Sequence, residues 1–211
     1  SIANFSTFRC AEQIRNDIDY HNLPVTIVSV GSGMGYGSLG YTHHALQDYS
    51  LMRTFPNILI ISPGNNNELI NSLKYIVHNP QPSYLRLDKD EAINIANKEK
   101  NLNLKPGKLV KISSGSKKNA IIVTGNVQES AIEMKKKKYK DYSIYTLPIW
   151  GMKVKKYFYN QIKNLKNIVI LEDHFYDGGF ASWVNEILLL KKSNIKIIPK
   201  YISTESINDV G

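Results

Sequence analysis

The sequence predicts an α/β protein built as two three-layer α/β/α domains with mainly parallel sheets. Three observations carry this. Short β-branched runs alternate with stretches whose apolar residues recur at helical spacing, the pattern of strands separated by helices. The rhythm occurs twice, on either side of a polar stretch at 88–106 that ends in Pro106-Gly107. Hydrophobic residues make up 42% of the 211 positions, and a chain of this length can bury roughly 70% of its unfolded surface. The expected division is a first domain at 1–90, a linker at 91–106 and a second domain at 107–211.

In the first half, Ala11, Ile14 and Ile18 space out a helix over 9–20. Val25–Val30 is a β-branched run and reads as a buried strand. A glycine-rich loop follows from Gly31 to Gly40, and Thr42 is placed to cap a helix running to Arg53. Asn57–Ser62 reads as a strand stopped by Pro63-Gly64, 66–78 as an amphipathic helix, and Ser83–Leu87 as a strand. In the second half, strands are expected at Ala120–Thr124, Tyr142–Leu147, Asn167–Glu172 and Ile195–Ile198. Helices are expected near 127–139, 153–164 and Ala181–Lys192.

Composition excludes several classes. The single Cys10 rules out a disulfide framework within the chain and a zinc site built on several thiolates. No apolar run approaches the roughly 18 residues of a membrane span, and no signal peptide is visible. A cytoplasmic protein is expected. Of 27 basic residues, 23 are lysine, and the net charge of +9 lies in the second half. Lysines without a stacking platform are weak evidence for nucleic acid, so none is expected as a partner. Lys135–Lys138 reads as the solvated face of a helix. Arg9, Arg15, Arg53 and Arg86 stand out where lysine is the default cation, because guanidinium allows planar, bidentate recognition.

Ligands of open α/β sheets bind beyond the carboxyl ends of the strands. One such end is the loop 31–44. Its Gly35-x-Gly37-x-x-Gly40 formally matches a dinucleotide fingerprint. However, five residues separate Val30 from Gly35, and Ser62-Pro63-Gly64 stands where the acidic partner belongs. His43 and His44 would point about 100° apart on a helix, a poor chelating pair; one of them is better suited to donate a hydrogen bond or exchange a proton. No metal ligands are assigned. Arg86 ends a buried strand, so it either faces a ligand anion or pairs with Asp88 or Asp90. Glu172-Asp173-His174 forms either an acid/base cluster or, the favoured reading, a strand end that caps the next helix.

Taken together, FRCAEQIRNDI (8–18), GYGSLGYTHHALQDYSLMRTFPNILIISPGNNNE (35–68) and PSYLRL (82–87) resemble the pyrimidine-binding domain of the transketolase family. TGNVQESA (124–131), TLPIW (146–150) and LEDHFYDGGFASWVNEIL (171–188) resemble its C-terminal domain. The resemblance is closest to separate transketolase C-terminal subunits and less close to deoxyxylulose-phosphate synthase. It implies two-carbon ketol transfer between sugars, phosphorylated ones among them, with thiamine diphosphate and Mg2+ at a subunit interface. The diphosphate and metal ligands would come from an N-terminal domain or subunit, in a homodimer or heterotetramer. By position, Phe5 resembles the aromatic that stacks on the cofactor pyrimidine, with Phe8 as the alternative. His43 resembles the substrate-channel histidine and catalytic group, with His44 beside it. Arg86 resembles a substrate-phosphate ligand.

The family's catalytic glutamate belongs upstream of Ser1, so the resemblance implies a piece of a longer protein. Gly31 and Leu39 stand where many relatives carry a histidine and an aspartate that touch sugar hydroxyls. This implies substrates other than the usual pentose phosphates. A non-catalytic scaffold with the same fold is the alternative expectation.

Overall fold

A computed structural model describes residues 1–89 and 102–207. It contains two mainly parallel sheets. The first has the order β1-β3-β2-β7, formed by Thr26–Val30 (β1), Leu59–Ile61 (β2), Ser83–Leu87 (β3) and Ile149–Trp150 (β7). Its first three strands are parallel, and β7 pairs antiparallel with β2, Ile60 opposite Trp150. The second sheet has the order β4-β6-β5-β8-β9. Its parallel strands are Asn119–Val123 (β5), Ser143–Thr146 (β6), Asn167–Leu171 (β8) and Lys196–Lys200 (β9). Val110–Ser113 (β4) is an antiparallel edge.

Side-chain alternation along the strands sets the layers. Ile121 and Val123 face α5 (Gln128–Lys137) through Ala131. Ala120, Ile122, Ile168 and Ile170 face α6 (Lys155–Ile162) and α7 (Phe180–Leu190). In the first sheet, Leu59, Ile61 and Leu85 pack under α4 (Asn66–His78). Ile60 and Tyr84 join Tyr49 and Met52 of α3 (Asp48–Met52). This last layer is continuous with the core of the second sheet through Trp150, whose ring meets those of Tyr49, Phe180 and Trp183. Two sheets thus share one central core.

A polar seam adds to this junction. Asn65 Oδ1 accepts the Glu68 amide at 2.9 Å, and Glu68 Oε2 accepts the Gly64 amide at 2.9 Å. This is a reciprocal cap that starts α4. Glu68 Oε1 also accepts from Gln128 of the second half at 2.7 Å, and Asn65 donates back to Gln128 at 2.9 Å. Burial raises the Glu68 carboxyl to about 7, against the pull of these donors. Among the described residues, no helix is long and apolar enough to cross a membrane.

Three expectations need correction. The helix expected over 9–20 starts earlier, as α1 (Ala3–Phe8), and resumes as α2 (Ala11–Gln13). It then widens into a turn with five-residue hydrogen bonds over Ile14–Asp19. The helix expected from Thr42 begins only at Asp48, because residues 41–45 are held in turns. The His43 amide bonds to Gly40 O at 3.0 Å and the Ala45 amide to Gly33 O at 2.8 Å. Most of the expected linker lies outside the described residues. Its end does not behave as a linker: Leu102 and Leu104 are buried with Leu59, Ile61, Leu85 and Ile149.

Candidate functional site

Helix α1 sits on the first sheet through Ala3 and Thr7, both fully buried. Ser6 Oγ and Ser29 Oγ, 2.5 Å apart, fix it against β1. Phe5, Phe8 and Arg9 are left on the opposite, solvent-facing side. The Phe5 ring meets His43 edge-on, with centroids 5.1 Å apart, and the Arg9 guanidinium lies 4.2 Å from the Phe5 centroid. Phe8 is 48% exposed and lines an open cleft of about 280 Å³ with Asn4, Tyr41 and Gln47. Asn4 ties the two walls together by donating to Thr42 O at 2.8 Å.

The loop from 31 to 47 supplies the second wall. It is an ordered structure. The Gly31 and Ser32 amides both bond to Leu87 O at the end of β3. Gly31 has φ +91°, and a Cβ there would fall within the Tyr36 ring. That ring therefore packs against Gly31, its centroid 6.3 Å from that of His43 and 5.5 Å from the Lys89 ammonium. Gly31→Ala should cost about 1–3 kcal/mol from backbone strain and push Tyr36 off its seat. Thermal unfolding together with near-ultraviolet circular dichroism will report both effects.

The structure separates the candidate residues. Phe5, Phe8 and His43 come together at one half-exposed site. His43 Nδ1 lies 2.9 Å from Thr42 Oγ1, and no group among the described residues bonds Nε2. His44 does not belong there: its ring is wholly buried, and its Nε2–H donates to Gly37 O at 3.0 Å. It pins the glycine loop from inside the fold. The two histidines lie in a turn, so the helical argument about their directions does not apply.

Arg86, the expected phosphate ligand, pairs with carboxylates of the chain itself. It is 1% exposed, and four of its N–H donors are engaged by protein groups. Nε donates to Asp48 Oδ2 at 2.8 Å and Nη2 to Ala45 O at 2.8 Å. Nη1 donates to Asp173 Oδ1 at 2.7 Å and to Tyr49 OH at 3.2 Å. Its ion-pair partners are thus Asp48 and Asp173. Asp88 instead accepts from Asn126, and Asp90 lies outside the described residues. Burial alone would lower the guanidinium pKa, but Asp173 and Asp48 outweigh it and hold it well above the ordinary value.

The Glu172-Asp173-His174 string divides into three structural roles. Glu172 accepts the first amides of α7, from Phe180 at 2.5 Å and Ala181 at 2.9 Å, as the capping reading requires. Burial pushes its carboxyl up to about 8, against those two hydrogen bonds. Asp173 pairs with Arg86. His174 donates from Nδ1 to Phe175 O at 2.7 Å and stacks on Tyr49 with centroids 5.0 Å apart. Its Nε2 is without a hydrogen bond, 3.8 Å from Asp48 Oδ1. Burial drives this imidazole down to about 4.

Tyr36, Tyr41 and Asn4 carry no site assignment from sequence, and Arg9 stands out there only as one of four arginines. The signal available for the tyrosines is two bulky rings inside a glycine run, where glycine makes room for them.

The site offers flat aromatic surface, one accessible imidazole and nearby cations. Among the described residues, no three metal-capable side chains converge. Residues 2–93 match the model of the transketolase pyrimidine-binding domain. One of the subunits of an apulose-4-phosphate transketolase from Actinobacillus succinogenes is 30% identical over 189 residues, covering 88% of this chain and 60% of that protein. A 1-deoxy-D-xylulose-5-phosphate synthase from Halothermothrix orenii is 30% identical over 195 residues, 89% of this chain and 30% of that protein. The chain therefore spans 60% or less of the length of these relatives. Among solved structures, a split-gene transketolase described as an inactive β4 tetramer superposes with a TM-score of 0.80. It shares 23% identity over 96% of this chain and 65% of that one, a likeness of fold.

Proposed function

Since residues 2–93 match the model of the transketolase pyrimidine-binding domain, we propose that the chain is the C-terminal part of a thiamine-diphosphate-dependent, transketolase-like enzyme. It works with an N-terminal domain or subunit in the cytoplasm, as a homodimer or heterotetramer, and moves a two-carbon ketol unit between sugars, phosphorylated ones included. One observation carries this reading: Phe5 presents a half-exposed ring against an imidazole whose Nε2 has no partner among the described residues, and Phe8 lines the adjoining cleft. Such rings suit an aminopyrimidine, because stacking gives flat contact with little lost side-chain entropy.

The fit is partial in an informative way. The aromatic wall suits the ring end of the cofactor. The diphosphate and Mg2+ would be held by the partner. When bound, thiamine diphosphate supplies the carbon nucleophile that carries the two-carbon unit. The chain's own contribution is orientation. Thr42 engages His43 at Nδ1 and leaves Nε2 to hydrogen-bond a sugar hydroxyl or shift its proton. A sugar phosphate would meet Arg9 and Lys89, the cations beside Phe5 and Tyr36, in place of the buried Arg86. The second reading, a non-catalytic scaffold, is favoured by the Tyr36 ring, which closes the space above Gly31 where a sugar contact is expected.

Calorimetry of the intact protein with thiamine diphosphate and Mg2+, alone and with its N-terminal partner, tests the proposal. Binding is expected only with the partner. Phe5→Ala should weaken it about tenfold or more, equal to about 1.4 kcal/mol, and leave the fold unchanged. An absence of binding in both settings would leave the scaffold reading in its place.

A further inference from the structure

The loop after β8 lies against the back of the loop that carries His43, and its contacts there are specific. Arg86 Nη1 donates to Asp173 Oδ1 at 2.7 Å while its Nη2 donates to Ala45 O at 2.8 Å, two residues from His43. The Phe175 amide donates to Leu46 O at 3.1 Å. Ser50 Oγ donates to Asp177 O at 2.7 Å. Gly33, whose carbonyl holds the Ala45 amide, lies so close to Asp173 that a Cβ there would stand 2.9 Å from Asp173 Cβ.

We propose that residues 173–177 of the second half clamp the His43 loop, with Asp173 as a positioning residue that acts through Arg86. The inference rests on the reading of His43 as a site residue, and assigns the second half a direct part in that site. The physical case is one of anchoring. Residues 41–47 form neither helix nor strand, so their backbone has little cooperative support of its own. Hydrogen bonds to charged groups are the strong ones, and this loop is tied to a guanidinium whose position depends on carboxylates from both halves. Asp48, next to the loop in sequence, holds Arg86 at Nε, and Asp173 from the second half holds it at Nη1, so the charge of Asp173 helps to set where the guanidinium rests.

Asp173→Asn keeps the size and an acceptor but removes the charge, and Asp173 is at the rim of the cluster with its side chain 16% exposed. Amide hydrogen exchange and histidine side-chain NMR of the intact chain, without cofactor, provide the readout. Exchange at 41–47 should speed up about tenfold or more, the size expected from weakening a charged hydrogen bond. The His43 ring signals should shift, while exchange in β5 and β8 stays at the wild-type rate. Two results would overturn the proposal. One is unchanged exchange at 41–47 with unshifted His43 signals. The other is a uniform rise across both sheets, which would mark Asp173 as a general stabiliser. If Asp173→Asn unfolds the chain, Ser50→Ala, which removes the tie to Asp177 at the loop's far end, takes the same measurement with the same two outcomes. Because no cofactor is present, the result is independent of whether thiamine diphosphate binds.

Discussion

Arg86→Met should destabilise the protein by about 3–5 kcal/mol, the cost of stranding buried charges without their partner. Arg86 stands between Asp48, whose side chain is fully buried, and Asp173, whose side chain is mostly so. Without the guanidinium the two carboxylates lose their shared counter-charge, Ala45 O loses its donor, and the Tyr49 ring loses the cation resting 4.3 Å from its centroid. Methionine fills much of the volume, so the loss is electrostatic more than a cavity. Urea unfolding at neutral pH will measure it. A change below about 1 kcal/mol would match a surface ion pair and contradict the burial of this cluster. Arg86→Lys should rescue only part of the loss, since one ammonium cannot reach acceptors spread around a planar fork.

The second large effect is a pH dependence owed to His174. Its ordinary value is 6.5, and burial lowers it to about 4 in the folded chain. The folded state therefore favours the neutral ring. The stability linked to this ring is fully present above pH 6.5 and is lost as the pH falls from 6.5 towards 4. At about 1.4 kcal/mol per unit, the loss is about 3 kcal/mol. Glu68 and Glu172 work in the opposite sense. Their folded values are raised to about 7 and about 8, so their contribution is present at low pH and is lost as the pH rises through those values. A comparison with His174→Asn isolates the imidazole, because asparagine can still donate to Phe175 O but does not titrate in this range. Urea midpoints of the two proteins should diverge between pH 7 and pH 4, the wild type falling further. Parallel curves would show that the ring is not held neutral.

The sequence carried most of the strands and helices because their signals are local. Ser83–Leu87 and 66–78 end where the residues say they should: a proline pair precedes the one, and Asn65 and Glu68 cap the other. What it did not carry is contact between distant segments. Arg86 reads as a costly cation with two acids close by in sequence, Asp88 and Asp90. Its actual partners are Asp48 and Asp173, chosen by the fold. Thr42 has the right chemistry for a helix cap, but its place is taken by a turn that depends on Gly33 and Gly40. Strand β7 is two residues long, too short for any periodicity. At the site, the family resemblance pointed to Phe5, Phe8 and His43, and the fold sets the Phe5 ring against His43 and Phe8 in the adjoining cleft. The aromatic partners Tyr36 and Tyr41 needed the glycine-loop geometry to be seen.

The position of β7 has a consequence for how the molecule can be divided. Ile149–Trp150 belongs in sequence to the second half but completes the edge of the first sheet. The N-terminal piece would lack an edge strand and the tryptophan that fills its core, and the C-terminal piece would leave the face of that tryptophan that meets Tyr49 uncovered. Cleavage within 90–101 should therefore yield two interlocked fragments that refold by complementation, and the intact chain should melt in one cooperative transition.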